Sequence, residues 1–334
     1  MRQRLLQVLL CLGTIPALAS RVDAQVDEAL ITKRWKTDNF WAETYDRPYV
    51  TARGEIEGSD EHFMMFHWIS QGRIKFDRAD LHPPVWLGYR ADTVSINSDR
   101  ELLDHPFADV ALGAGVQLGS IGSGWMMAAG AGVGTANDGR WDNPHAVYGT
   151  ATLDFARTVA SEPTWHVGLT YDGNRSVLEA VPLPYFQVET APDPSLTLLL
   201  GFPKAEIVWR PWGPLTLSAE WQLATQASAR VDVDLGAGFT TFAAVLRRID
   251  GFHLRDQERT RLFWEVHTVE VGARWVTSWL DVGLSVGTTF GQRYFEGPDV
   301  LDRTRGDSID RLPFIALTLP GASWAPPLSA GLHR

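Results

Sequence analysis

Apolar and polar residues alternate along much of the chain with a period of two. This is the pattern of a β-strand whose two faces meet different surroundings. Residues 278–290 show it most clearly. One face of this segment carries Leu280, Val282, Leu284, Val286, Thr288 and Phe290, and the other carries Asp281, Gly283, Ser285, Gly287 and Thr289. The pattern indicates a strand that separates an apolar medium from a polar one.

The same alternation predicts about twelve strands, within a range of roughly 10–14, between residues 47 and 320. Many of them have about 9–11 residues, the length that a tilted strand needs to cross a bilayer. The predicted segments are 48–57, 85–95, 107–118, 124–134, 146–155, 165–172, 195–202, 204–210, 214–226, 229–236, 268–275, 278–290 and 312–319.

The connections between the predicted strands fall into two classes. Tight turns are expected near Pro203, Gly213 and Thr277, and an alternation of short turns with longer polar loops is typical of outer-membrane barrels. The longer loops are predicted at 97–106, 135–144, 237–262 and 291–311. We therefore predict an all-β fold, an antiparallel transmembrane β-barrel over residues 47–320.

Aromatic residues near the predicted strand ends agree with this fold. Their rings favour the level of lipid headgroups, where they form two girdles around a barrel. The candidates are Trp86, Trp125, Trp141, Trp165, Trp209, Trp212, Trp264, Trp279 and Tyr294. The main alternative is a soluble, exported β-sandwich that binds glycan through its tryptophans, since a sandwich strand also has one apolar and one polar face.

The N-terminal segment has the pattern of a cleaved signal peptide. Arg2 and Arg4 precede an apolar stretch at 5–15, and the small-residue rule places cleavage after Ala19 or Ala24. We predict a signal peptide at 1–24, which leads to export and outer-membrane localisation. Residues 25–46 are expected to form a lead-in or plug, and residues 321–334 an irregular tail.

Composition narrows the range of functions. The apolar fraction is 45% and the charged fraction 21%, which are ordinary values for a folded chain. The formal net charge of −10 argues against a nucleic-acid partner, because such binding depends on neutralising phosphates. The only cysteine, Cys11, lies in the predicted signal peptide, so the mature chain has no disulfide. No cofactor is predicted.

Two segments resemble a family of uncharacterised bacterial outer-membrane β-barrel proteins, a domain of unknown function. Residues 198–211 (LLLGFPKAEIVWRP) resemble its strand–turn–strand unit, and residues 283–293 (GLSVGTTFGQR) resemble its penultimate region. The resemblance implies the fold and the location, and it implies no chemistry. It also implies contact with outer-membrane lipid and with the barrel assembly machinery. The chain differs from many such barrels in ending on Arg334 instead of an aromatic residue.

Charged residues on the predicted inward faces are the candidate functional set. Ten acids and four bases share these faces, so a water-filled path along them would favour cations. The open alternative is that the charges pair across a narrow barrel and seal it. The candidate lumen-lining residues are Arg90, Asp92, Asp109, Asp154, Asp172, Glu206, Arg210, Glu220, Arg230, Asp232, Asp234, Glu270, Arg274 and Asp281.

Other motifs carry less chemistry. Residues 306–309 (GDSI) match the nucleophile block of a lipase class but lie in a charged loop. The glycines Gly130, Gly132 and Gly134 are expected to leave room for inward side chains. The sequence has no helical pair of histidines with a glutamate, which is the pattern that would indicate a zinc hydrolase.

A lipid-modifying enzyme of the outer membrane would need a Ser–His pair that faces lipid, whereas His166 is predicted to face inward. We therefore predict a non-enzymatic barrel. It is either a narrow porin-like channel for small solutes or a structural barrel, with a lipid-modifying enzyme as the alternative.

Overall fold

The computed structural model describes residues 42–76, 85–159, 162–223, 225–255, 260–277 and 281–321. Within them the chain forms eighteen strands and one 3-10 turn, Pro144–Ala146. The strands are β1 (Ala42–Thr51), β2 (Gly54–Glu55), β3 (His62–Phe76), β4 (Val85–Ser98), β5 (Pro106–Ile121), β6 (Trp125–Asn137), β7 (Val147–Arg157), β8 (Thr164–Asp172), β9 (Leu183–Asp193), β10 (Leu196–Phe202), β11 (Lys204–Trp212), β12 (Leu215–Gln222), β13 (Gln226–Gly236), β14 (Phe239–His253), β15 (Arg261–Val276), β16 (Asp281–Gly297), β17 (Arg305–Ile309) and β18 (Pro313–Gly321).

The strands form a closed antiparallel barrel. Each long strand pairs with the next along the chain, and β1 closes the ring by pairing with both β3 and β18. The short strands β2 and β17 lie in loops, so sixteen strands make up the ring. The predicted all-β antiparallel barrel is confirmed. The sandwich alternative is wrong, because one ring replaces two stacked sheets.

The predicted count of about twelve strands is too low. Strands β3, β9 and β14 are the three that the alternation does not predict. The predicted loop at 237–262 is also wrong, since β14 occupies most of it. Strand β1 begins at Ala42, inside the predicted 25–46 segment. The predicted signal peptide, the segment 25–41 and the tail beyond 321 lie outside the described residues.

The two ends of the barrel differ. Strand β1 begins and β18 ends at one end, which we call the lower end. Connections at the lower end include the short turns 122–124, 194–195, 213–214 and 237–238. Connections at the opposite, upper end include the longer loops 52–61, 99–105, 138–146, 173–182 and 298–312.

The outer surface of the barrel is apolar. Alternate residues of β3 point outward and are exposed, as are alternate residues of β15 and β16. Val286 is 52% exposed, whereas its neighbour Ser285 is 3% exposed, which confirms the predicted faces over residues 281–290, the described part of the segment 278–290. Further exposed apolar residues on the barrel strands are Phe66, Trp68, Leu87, Leu112, Val133, Val167, Leu169, Leu200, Ile207, Trp209, Val269, Val271, Leu284, Ile315 and Leu317. No helix among the described residues is long and apolar enough to cross a membrane.

The upper end of β14 crosses the mouth of the barrel. His253 of β14 forms a parallel bridge with Asn137 of β6, and these strands lie eight positions apart in either direction around the ring. Phe252 packs on Phe107 of β5 with ring centroids 5.4 Å apart. The mouth is therefore divided in two along a diameter.

One half of the mouth is filled by a hydrophobic core. This upper core joins inward residues of β1, β3, β4 and β5 to those of β14, β15, β16 and β18. Trp264 stacks on Phe63 at 5.4 Å, and Tyr294 lies in the same core. The prediction that Trp264 and Tyr294 belong to an outer girdle is wrong, because both are buried inside the barrel.

Candidate functional site: the upper cavity and the barrel interior

The other half of the mouth holds a cavity with about 900 Å³ of empty space, counted with its opening. Inward residues of β4, β5, β7 and β8 form one wall, and the upper end of β14 forms the facing wall. Charged lining residues are Arg90, Asp109, Asp172, Arg175 and Asp250. The cavity is polar, because hydroxyl and amide groups such as those of Thr150 and Gln222 lie between the charges.

The wall of the cavity on the β6 side is built on glycine. Gly134 faces inward, and a Cβ on it would lie 2.4 Å from Cζ of Tyr148, the residue opposite it on β7. A Cβ on Gly132 would lie 2.6 Å from the Thr150 hydroxyl. The expectation that these glycines leave room for inward side chains is confirmed for Gly132 and Gly134. The space lets Tyr148 lie flat and donate a hydrogen bond of 2.5 Å to Asp109.

Loop 173–182 covers part of the cavity. The Asn174 amide lies 3.5 Å from Asp109 and 3.4 Å from the carbonyl oxygen of Gly251 on β14. The Arg261 guanidinium donates hydrogen bonds to the carbonyl oxygens of Asn174 and Arg175 at 2.9 and 3.0 Å. The loop is thus held between β5 and the crossing end of β14.

The opening of the cavity lies where the barrel wall is low. Strands β10, β11 and β12 have 7, 9 and 8 residues, whereas β14, β15 and β16 have 15, 16 and 17. Pro203 and Leu223, from the tight connections above the short strands, line the cavity. Access from the upper end is therefore greatest over this side of the ring.

Three of the predicted acids form ion pairs with bases that lie outside the predicted set. Asp92 pairs with Arg248 of β14, and both side chains are almost fully buried. Arg47 of β1 pairs with Glu270 at 2.8 Å, and Lys204 pairs with Glu220 at 2.7 Å. These bases offset part of the predicted acidic excess. Arg248 was missed because residues 237–262 were predicted to form a loop, and Arg47 and Lys204 because they stand at predicted strand ends.

Four more of the predicted acids have partners inside the barrel. Asp154 accepts hydrogen bonds from Tyr185 at 2.5 Å and from the His166 ring at 3.1 Å. Asp109 lies 3.4 Å from Arg90. Asp232 and Asp281 pair with bases close to them in sequence. Arg230 and Asp232 lie 2.8 Å apart on β13, and Arg274 of β15 pairs with Asp281 of β16.

The other predicted residues are less enclosed. Asp172 lines the upper cavity and accepts the backbone N–H of Asn174 at 2.8 Å. Glu206 is half-buried opposite Glu220, while Arg210 and Asp234 are exposed near the lower end. The predicted set therefore spans the interior from the upper cavity to the lower opening, and the role of these residues in passage stays a prediction.

The remaining motifs have structural partners. Residues 306–309 lie in β17, where Asp307 pairs with Arg100 at 2.6 Å and accepts a hydrogen bond from Tyr294 at 2.5 Å. His166 bonds Asp154 inside the barrel, as predicted, away from the outer surface. Within the part of the chain that the structure describes, no group of three His, Cys, Asp or Glu residues is arranged to hold a metal ion.

Solved structures of outer-membrane barrels align with the chain only distantly. No family model and no curated protein matches the sequence. An outer-membrane channel from Pseudomonas putida F1 aligns with a TM-score of 0.34 and 8% identity over 84% of this chain and 94% of that chain. OccK7 of Pseudomonas aeruginosa aligns with a TM-score of 0.35 and 10% identity over 84% of this chain and 98% of that chain. A mutant porin of Rh. blastica aligns with a TM-score of 0.29 and 7% identity over 84% of this chain and 99% of that chain. The strand pairing of the chain itself shows the barrel fold.

Proposed function

We propose that this protein is an outer-membrane β-barrel that forms a narrow passage for small solutes. The observation that carries the proposal is a closed sixteen-stranded ring with apolar residues outside and ion-paired, polar residues inside. A surface of this size covered with exposed Leu, Val, Ile and Trp is far larger than the apolar patches of a soluble monomer. Lipid contact accounts for it.

The arrangement of the chain ends and loops supports an outer-membrane location. The ring has an even number of antiparallel strands, and its long described loops lie at the upper end, where only the connections at Pro203 and at 223–225 are tight. This is close to the general design of such barrels, which have short turns at one end and longer loops at the other. In that design the short turns face the periplasm. The lower end would then be periplasmic, with the upper cavity on the outer side. Contact with outer-membrane lipid and insertion by the barrel assembly machinery are part of this proposal.

A narrow passage fits the interior better than a wide pore. Barrels of 16–18 strands generally leave an aqueous channel. Here the upper core fills one half of the mouth, and the upper cavity occupies the other. The passage would therefore begin at the cavity and continue among Asp154, Arg230 and Asp281 toward the lower opening. The residual acidic excess favours a weak preference for cations.

Conductance in planar lipid bilayers tests the proposal. We expect small, discrete current steps and a reversal potential that indicates mild cation preference. The absence of any current at all applied voltages, from protein shown to be folded and inserted, would exclude the channel. A folded protein purified without detergent would exclude the membrane barrel itself.

A structural barrel is the second candidate, and one observation favours it. The crossing end of β14 and the ion pair between Arg248 and Asp92 fix the mouth in a half-closed form. A correctly inserted protein that carries no current in planar bilayers would favour the structural barrel over the channel. The lipid-modifying enzyme has less support, because His166 is engaged inside the barrel.

A further inference from the structure

The basic side chains that line the upper cavity already have protein partners. The Arg90 guanidinium lies 3.4 Å from the Asp109 carboxylate on the neighbouring strand. The Arg175 guanidinium donates a hydrogen bond of 2.9 Å to the carbonyl oxygen of Val181, in the loop that covers the cavity. An anionic solute would therefore compete with contacts that the protein makes by itself.

The acidic side chains of the cavity are engaged as well. Asp250 pairs with the buried Arg248 at 2.8 Å, and Asp172 accepts the backbone N–H of Asn174 at 2.8 Å. Asp109 has Arg90 as its partner. A cationic solute would have to give up its hydration for carboxylates that are already bonded, and little attraction would offset that cost.

Three uncharged side chains of the cavity lining keep an acceptor oxygen in reserve. Among the described residues, the Thr150 hydroxyl and the amide oxygens of Asn174 and Gln222 have no hydrogen-bond partner. Thr150 is 6% exposed. The amide nitrogen of Asn174 is used on Asp109 and Gly251, which leaves its oxygen as the atom for a ligand. These groups fit a solute that brings several uncharged donors.

A flat apolar surface lies beside these oxygens. Tyr148 stands two residues before Thr150 on the same inward face of β7, and it lines the cavity. Gly134 gives its ring the room to lie against the wall. A sugar ring has apolar C–H faces and hydroxyl groups around its edge. It can therefore pack on an aromatic ring while its hydroxyl groups bond to neighbouring oxygens.

We propose that the upper cavity binds a neutral saccharide of about the size of a hexose. The proposal rests on the passage proposed above and names the class of solute that enters it. The hydroxyl groups of the sugar donate to the oxygens of Thr150, Asn174 and Gln222, and one face of the sugar packs on Tyr148. The cavity, with about 900 Å³ of space counted with its opening, falls within the range of roughly 300–1,000 Å³ found for small-molecule sites.

The polar groups of the cavity select a neutral sugar over other small solutes. An apolar solute would leave the three acceptor oxygens without donors, and a buried polar group without a partner is costly. A charged solute would meet Arg90 and Asp109 side by side on one wall, so attraction to one would be offset by repulsion from the other. Within a series of equal size, the uncharged sugar should therefore bind most tightly.

Saturation-transfer NMR of the protein in detergent micelles tests the proposal. The probes are glucose, glucosamine and glucuronate, titrated separately in one mildly acidic buffer that keeps the amine protonated. We expect saturable binding of glucose and weaker binding of both charged analogues. Thr150→Val removes the hydroxyl and should weaken glucose binding about fivefold, the loss of one hydrogen bond. Absence of saturable glucose binding, or tighter binding of either charged analogue, would overturn the proposal.

The same substitution outside the cavity is the matched control. The Thr93 hydroxyl of β4 donates to the carbonyl oxygen of Trp68 at 3.4 Å, away from the cavity lining, so Thr93→Val should leave glucose binding unchanged. Equal weakening by Thr93→Val and Thr150→Val would overturn the cavity as the binding site. If Thr150→Val does not fold, as judged by heat-modifiable migration on gels, Gln222→Met replaces it with a similar expected loss.

Failure of this proposal is distinguishable from failure of the proposed function. Current through planar bilayers from a protein that binds no glucose would overturn the saccharide site and keep the channel. Glucose binding by an inserted protein that carries no current would exclude the channel and keep the cavity as a saccharide site.

Discussion

Arg248 of β14 forms an ion pair with Asp92 of β4 across the interior of the barrel, although the two strands are not neighbours in the sheet. The side chains are 2 and 0% exposed. Asp92 also lies 2.6 Å from the His67 ring, and Arg248 also pairs with Asp250 at 2.8 Å. This network ties the crossing end of β14 to the opposite wall, beneath the upper core.

Replacing Arg248 with Met should destabilise the barrel by about 3–5 kcal/mol, because Asp92 would keep a buried charge without its guanidinium. Urea titration of the folded fraction in lipid vesicles measures the free energy of unfolding. Arg248→Met combined with Asp92→Asn should recover a large part of the loss. Arg255→Met is the control, since its exposed ion pair contributes about 0–1 kcal/mol. A loss below about 1 kcal/mol for Arg248→Met would mean that the pair does not hold β14 in place.

Replacing Val286 with Arg should lower the free energy of unfolding by about 2–4 kcal/mol if the apolar outer surface of the barrel contacts lipid at mid-height. Val286 is 52% exposed in the isolated chain, so the same change on a water-facing surface should stay within about 0.5 kcal/mol. Val286→Ala serves as the matched control for loss of side-chain packing. The free energy of unfolding is measured in lipid vesicles. A change near zero for Val286→Arg would show that this face contacts water.

Much of the fold could be predicted from sequence because strands with an exposed apolar face and a polar interior face alternate strictly. Val269, Val271, Leu284 and Val286 are all exposed, as their period of two predicts. The three missed strands have apolar residues on both faces, which hides the alternation. In β14, for example, Phe252 packs inward in the upper core while Ile249 packs on the other face against Phe263. Strands buried on both sides read as continuous apolar runs.

The site was less predictable than the fold, because its pairs join residues far apart in sequence. Arg47 and Glu270 come together only when β1 closes the ring beside β18, and nothing local to either residue indicates it. The ion pair between Arg293 and Glu265 was hidden for a different reason. A β-bulge between Glu265 and His267 shifts the register of β16, so that Arg293 joins the face of Phe290. Periodicity alone does not predict a bulge.

The loop carboxylate of Asp99, above the barrel, offers a test of pH dependence. The backbone N–H of His62 donates to this carboxylate at 3.0 Å, and the His62 ring also bonds it, so the pKa of Asp99 is lowered. Its contribution to stability is therefore complete above the ordinary carboxyl pKa and is lost as the pH falls through the lowered pKa. Carbon-13 NMR titration of Asp99 measures this directly. An ordinary midpoint for Asp99 would show that the contact with His62 does not persist in solution.

Gly134→Ala should destabilise the barrel by about 1–3 kcal/mol, because its new Cβ would lie 2.4 Å from the Tyr148 ring and force it out of place. Gly149→Ala is the matched control on the adjoining strand, since a Cβ there would meet its nearest atom at 3.9 Å. In a Tyr148→Ala background, Gly134→Ala should no longer lower the free energy of unfolding, because the ring that its new methyl group would meet is absent. Equal effects of Gly134→Ala and Gly149→Ala on urea unfolding would show that Tyr148 does not pack on Gly134.

Tyr148→Ala should raise the single-channel conductance, because the ring forms the wall of the upper cavity and narrows the proposed passage. The loss of its hydrogen bond to Asp109 should cost about 1.5–3 kcal/mol of stability, so folding is checked first. Val133→Ala, on the outward face of the neighbouring strand and 56% exposed, should leave the conductance unchanged. Planar-bilayer recordings of both variants compare the two faces of the same wall. A folded Tyr148→Ala variant with unaltered current steps would show that solutes do not pass through this cavity, and the passage would then have to lie elsewhere in the barrel.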